Sequence, residues 1–145
     1  ADEPGVYRGF CAEFCGQQHA LMGLLVDARP PDAFRTWLSR QSTPAAAPTD
    51  AEAARGLALF VRHDCYLCHA VRGASFPAPP AEAGPDLTHL ASRRTLAAGT
   101  VDNEQGILAT WVLDPHGIKP GVRMPPTDLD EAELAALVSY LGGLR

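Results

Sequence analysis

The sequence predicts a mainly α domain over residues 50–145, preceded by a segment 1–41 that reads as a fragment of a β structure. Three observations support this division. Apolar residues recur at helical spacing in three stretches after residue 50, with capping residues ahead of two of them. Residues 42–49, Ser-Thr-Pro-Ala-Ala-Ala-Pro-Thr, hold no large apolar side chain and read as a linker without a share in any core. Between Ala20 and Ala28, Leu21, Leu24, Leu25 and Val26 form a short apolar run that reads as a strand.

Along the chain, Pro30-Pro31-Asp32 opens a short helix with Phe34, Trp37 and Leu38 on one face. A segment of this size is too small to be stable unaided. After the linker, Thr49 and Glu52 have capping-box spacing, and Ala53, Leu57, Phe60 and Val61 continue a helix to about Arg62. A further helix follows Asp102, with Ile107, Leu108, Trp111 and Val112 on one side, and Asp114-Pro115 stops it. In the last helix Asp130 pairs with Glu133 as a cap, and Leu129 and Leu134 occupy the staple positions. Leu134, Leu137, Val138 and Leu141 form its stripe, and Gly142-Gly143 end it. The long Pro- and Gly-rich connections at 77–85 and 115–126 suit a domain wrapped around a bulky group, which replaces core that such a short chain lacks.

Composition narrows the function. A hydrophobic share of 46% is that of a globular protein, and a net charge of −5 without like-charged blocks argues against nucleic acid as a partner. No stretch reaches the length of a membrane span, and none reads as a signal peptide. The start at Ala1 reads as that of a processed or truncated product.

The four cysteines fall into two pairs, each closely followed by a His. Two disulfides would account for the even count but not for the histidines. Cys65-Tyr66-Leu67-Cys68-His69 has the spacing for covalent haem c: two thiols add to the porphyrin vinyl groups and the next residue offers its imidazole to the iron. A redox CXXC does not need the His, and a zinc site would need nearer ligands. Met124, between Lys119-Pro120-Gly121 and Pro125-Pro126, is the expected sixth ligand, because a loop flanked by Pro and Gly is a poor place for a core-filling Met. His/Met ligation leaves no open position, which suits electron transfer. His63, His89 and His116 read as surface or loop histidines.

In Cys11-Ala12-Glu13-Phe14-Cys15-Gly16-Gln17-Gln18-His19-Ala20-Leu21-Met22, two thiols, an imidazole and a thioether lie within one short loop. So soft a ligand set favours copper.

On these motifs, residues 50–145 resemble class I cytochromes c. Gly56, Phe60, Leu137 and Tyr140 stand where that family crosses its first and last helices. The resemblance implies that Pro85, in Gly84-Pro85, accepts a hydrogen bond from His69, and that Arg93, Arg94 or Trp111 holds a haem propionate. The first cluster, with Tyr7-Arg8-Gly9 before it, resembles the CuA loop of cytochrome c oxidase subunit II, a cupredoxin-like β-barrel of which residues 1–41 would be the C-terminal piece. That resemblance implies that Cys11 and Cys15 bridge two coppers, with His19, Met22 and the carbonyl of Glu13 as further ligands. It also implies barrel strands, a second His and membrane helices upstream; residues 1–10 hold no His, so weak or non-native copper binding is expected of the chain as it stands.

The combination is similar to subunit II of caa3-type haem–copper oxidases, as are His89-Leu90 to Gly99 and Ile118-Lys119-Pro120-Gly121. This resemblance implies a respiratory role on the outer face of a bacterial cytoplasmic membrane. Electrons would come from a cytochrome c or bc1-type donor to haem c and pass through CuA to subunit I, where oxygen is reduced. A free-standing periplasmic cytochrome, a nitrous oxide reductase fragment and a thiol–disulfide or copper-chaperone protein are the competing readings.

Overall fold

A computed structural model describes residues 1–77 and 84–145. Most of the Pro-rich stretch 77–85 therefore lies outside the described residues. The chain is mainly helical, and each of its two small sheets has two strands.

Strands β1 (Gly5–Phe10) and β2 (Gly23–Ala28) form an antiparallel hairpin in which Gly5 faces Ala28 and Phe10 faces Gly23. The β2 strand starts three residues later than its apolar run, because His19–Leu21 forms a 3₁₀ turn. Helix α1 (Pro31–Gln41) follows, with Pro31 at the first helical position, where its missing N–H costs nothing. Among the described residues none before Ala53 is buried: Val6, Tyr7, Phe10, Leu24, Val26, Phe34, Trp37 and Leu38 all face solvent. Neither sheet amounts to a barrel.

The core belongs to the second part. Helix α2 (Ala51–Arg62) is capped by Asp50, whose side chain accepts from the Ala53 amide at 2.8 Å. The expected Thr49 cap is thus displaced by one residue; a carboxylate beside the positive helix terminus is the stronger acceptor. Helices α3 (Gln105–Leu113) and α4 (Pro115–Ile118) are divided at Asp114, whose side chain caps the second by accepting from the Gly117 amide. Helix α5 (Glu131–Gly143) has the full Asp130–Glu133 capping box. Strands β3 (Thr95–Leu96) and β4 (Val101–Asp102) form a second, minimal hairpin.

The crossing of α2 with α5 organises this core. A Cβ on Gly56 would lie 2.0 Å from the Ala136 carbonyl oxygen, so only glycine lets the two backbones meet. Phe60, 1% exposed, packs edge-on against Tyr140, and Leu137, Val138 and Leu141 belong to the same core. Burial of these side chains drives the fold. Val61, expected on the inner face, is exposed; Leu59 takes its place.

The linker is not idle. Ala45 packs against the core and donates to the Arg72 carbonyl at 2.8 Å, while the Thr43 carbonyl accepts from His89 Nε2 at 3.0 Å. Backbone outside helix and sheet leaves its N–H and C=O groups free, and Arg72 and His89 use them.

Candidate metal centres

Asp64, in the left-handed region at φ 58°, turns the chain out of α2 into the 3₁₀ turn Cys65–Leu67. That turn sets Cys65 and Cys68 half-buried on one side, and the His69 amide bonds back to the Cys65 carbonyl at 3.0 Å. His69 Nδ1 lies 2.9 Å from the Pro85 carbonyl oxygen. A carbonyl only accepts, so Nδ1 carries the proton and Nε2 keeps its lone pair for a metal. Gly84 seals the arrangement: a Cβ there would sit 2.6 Å from His69 Cε1. Asp86 supports the same loop, accepting from the Thr88 amide at 2.7 Å and pairing with Arg72 at 3.4 Å. Burial pushes the Cys65 thiol up to about 11, which keeps it neutral. A half-buried uncharged sulfur, a second one nearby and an imidazole of fixed tautomer fit covalent haem.

Met124 sits half-buried in the loop before α5, and Trp111 half-buried on α3. Arg93 donates to the Asp86 carbonyl, and burial lowers its pKa. Arg94 reaches instead toward Asp27 of β2, 3.7 Å away. His116 is exposed and His63 half-buried. His89 is not the surface residue expected: it is 5% exposed, because its ring is drawn in by the Thr43 carbonyl.

The second cluster is assembled by the hairpin. Pairing of Phe10 with Gly23 brings the ends of the intervening loop together, and the Cys11 amide donates to the Met22 carbonyl at 3.1 Å. Gly16, at φ 109°, and the turn at His19–Leu21 then fold the loop back on itself. Cys15 Sγ lies 3.5 Å from Cys11 Sγ, 3.8 Å from His19 Nδ1 and 3.9 Å from Met22 Sδ. Cys11 Sγ is 3.1 Å from the Glu13 carbonyl oxygen. Both thiols, the imidazole and the thioether therefore converge, and the ligand atoms of Cys11, Cys15 and His19 all lie within 4.8 Å of one another. The hydrogen bond between the two thiols is the main cause that raises the Cys15 pKa, so a metal that binds here must displace protons. Three soft donors, an imidazole and a carbonyl around one point fit copper.

Sequence reasoning missed how the two parts of the chain meet. The Gly23 amide donates to the Ala98 carbonyl at 3.0 Å, and the Leu21 carbonyl accepts from Thr100 Oγ1 at 3.0 Å and from Lys119 Nζ at 3.1 Å. The one available signal was a lysine between Ile118 and Pro120 in a loop otherwise poor in charge.

Residues 53–145 match the family model described as cytochrome c. The whole chain is also similar to curated proteins named cytochrome c oxidase subunit 2. The identity is 37% with that of Alkalihalophilus pseudofirmus, over 100% of this chain and 41% of the relative. It is 35% with that of Bacillus sp. strain PS3 and 33% with that of Bacillus subtilis, each over 97% of this chain and 40% of the relative. The chain thus spans about two-fifths of the length of these relatives.

Proposed function

We propose, from the premise that this chain belongs to the cytochrome c family, that it is the electron-transfer part of subunit 2 of a haem–copper oxidase of the caa3 type. The observation that carries the haem half is the His69–Pro85 hydrogen bond behind a CXXCH turn. The copper half rests on the convergence of Cys11, Cys15, His19 and Met22, and on relatives that align with both halves and are named as that subunit.

In this reading Cys65 and Cys68 would hold haem c covalently, His69 and Met124 would ligate its iron, and Arg93, Arg94 or Trp111 would hold a propionate. Cys11, Cys15, His19, Met22 and the Glu13 carbonyl would hold the copper of CuA, as far as this chain supplies its ligands. Haem c and CuA, when bound, each exchange one electron. The residues here hold and orient those groups and perform no bond chemistry, so oxygen reduction belongs to subunit I. Residues 1–41 form the C-terminal piece of a cupredoxin-like barrel, 42–49 a linker and 50–145 the class I cytochrome c domain. The exposed apolar side chains of β1, β2 and α1 are the faces that the rest of the barrel would cover. No helix of the described residues is long and apolar enough to cross a membrane; attachment and placement on the outer face would come from the upstream helices of a full-length subunit. The electron donor is a cytochrome c or a bc1-type complex.

Met124→Ala tests the haem ligand set. The far-red Met–iron absorption band disappears and the reduction potential falls, while haem stays covalently attached. An unchanged spectrum removes Met124 from the site.

A further inference from the structure

We propose that Lys119 is a positioning residue that docks the copper loop onto the haem domain through the carbonyl of Leu21. The inference rests on the two-centre reading above.

Lys119 is 7% exposed, and among the described residues it has no acidic partner. A buried ammonium needs compensation, and two backbone carbonyls supply it: Ala97 at 2.9 Å, within the haem domain, and Leu21 at 3.1 Å, in the copper loop. Leu21 directly precedes Met22 and closes the turn that begins at His19. The carbonyl that Lys119 holds is therefore covalently joined to one metal-ligating residue and two positions from another. Thr100 Oγ1 donates to the same oxygen at 3.0 Å and also to Ala97. One acceptor of the copper loop is thus held by two donors of the haem domain, both of which also bond the Ala97 carbonyl.

The haem-domain side of this seam has an unusual backbone. Ala97 and Ala98 both lie in the left-handed region, at φ 53° and 56°, where an alanine is disfavoured. That conformation presents the Ala97 carbonyl to Lys119 and the Ala98 carbonyl to the Gly23 amide. Backbone held against its preference points to a role beyond folding. Close approach is built into the neighbours as well. A Cβ on Gly99 would lie 3.2 Å from the carbonyl carbon of Gly23, and one on Gly121 would lie 2.7 Å from Gln17 Oε1. Gly121 belongs to the loop that runs from Lys119 to Met124, so the segment bearing the proposed axial ligand itself packs on the copper loop. The Arg94–Asp27 pair marks the other end of the contact.

A docked loop holds the two centres at one separation and orientation. The groups, when bound, would supply one-electron exchange, and Lys119 takes part in no bond chemistry. Lys119 acts by holding the distance.

The test monitors the Gly23 amide by hydrogen exchange in the full chain, with the amides of α5 as an internal measure of folding. In Lys119→Met, Gly23 exchange rises about tenfold, as expected for the loss of a charge-assisted hydrogen bond, while α5 stays protected. Thr100→Val gives a smaller rise in the same direction, and Lys119→Arg restores part of the protection. Unchanged Gly23 exchange in both Lys119→Met and Thr100→Val overturns the proposal. So does acceleration of Gly23 and α5 together, which would make Lys119 merely structural. In the copper-loaded, full-length protein, Lys119→Met slows haem-to-copper electron exchange about tenfold with the haem potential unchanged; an unaltered rate overturns the positioning role. Failure of the full-length protein to bind copper would instead refute the oxidase reading, and the Gly23 measurement would still decide the docking.

Discussion

The two halves of this chain would assemble their proposed metal sites by opposite means. In residues 53–145 the proposed haem ligands His69 and Met124 are far apart in sequence, in separate loops, and those loops join a domain whose core centres on Phe60, Leu137 and Tyr140. In residues 1–41 no side chain is buried, yet four ligand groups converge, because one hairpin register and one 3₁₀ turn suffice. Ligand geometry that is local needs little core, whereas geometry that spans the chain needs all of it. The local site gives up the shelter that a core provides: its apolar strand residues are exposed, and a few hydrogen bonds tie it to the rest of the chain.

The comparison can be broken most severely at Gly56. Replacement by Val forces a side chain into the Ala136 backbone and costs about 5 kcal/mol or more, enough to unfold a domain of ordinary stability. Haem incorporation is lost, and circular dichroism shows loss of the helices. Phe60→Ala, which removes a 1% exposed ring, costs about 3–5 kcal/mol in denaturant unfolding.

A third effect depends on pH. Burial pushes the Tyr140 hydroxyl up to about 12 from its usual 10.0. The folded state therefore favours the neutral phenol. The stability this gives is complete below about pH 10 and is lost as pH rises toward 12. Thermal unfolding across that range should show alkaline destabilisation in the parent chain and less of it in Tyr140→Phe. The smallest effect is expected in the other half. Phe10, 66% exposed, can become Ser with a change within about 0.5 kcal/mol in the same unfolding assay. A larger loss would show that the hairpin is part of the cooperative core after all.

Much of this was legible in the sequence, and the exceptions are instructive. The Asp130–Glu133 capping box, the turn after Leu113 and the closed loop from Cys11 to Met22 all depend on residues close in sequence, which spacing reveals. The identity of the α2 cap was missed because Thr49 and Asp50 are both competent, and only the fold decides which one meets the helix axis. The burial of His89 and Lys119 was missed for a different reason. Each is drawn inward by a carbonyl distant in sequence, Thr43 for the first and Leu21 for the second, and no local pattern encodes such a contact. The linker likewise read as inert because its side chains are small, whereas its backbone makes the bonds.

The most direct test of the two-centre assignment is a reductive titration of the full-length protein, monitored at the absorption of each centre. Two electrons per chain are predicted, one taken up with the haem spectrum and one with the copper spectrum, and the haem should remain on the chain after acid–acetone extraction. Uptake of a single electron, or haem that extracts free of the protein, would contradict it.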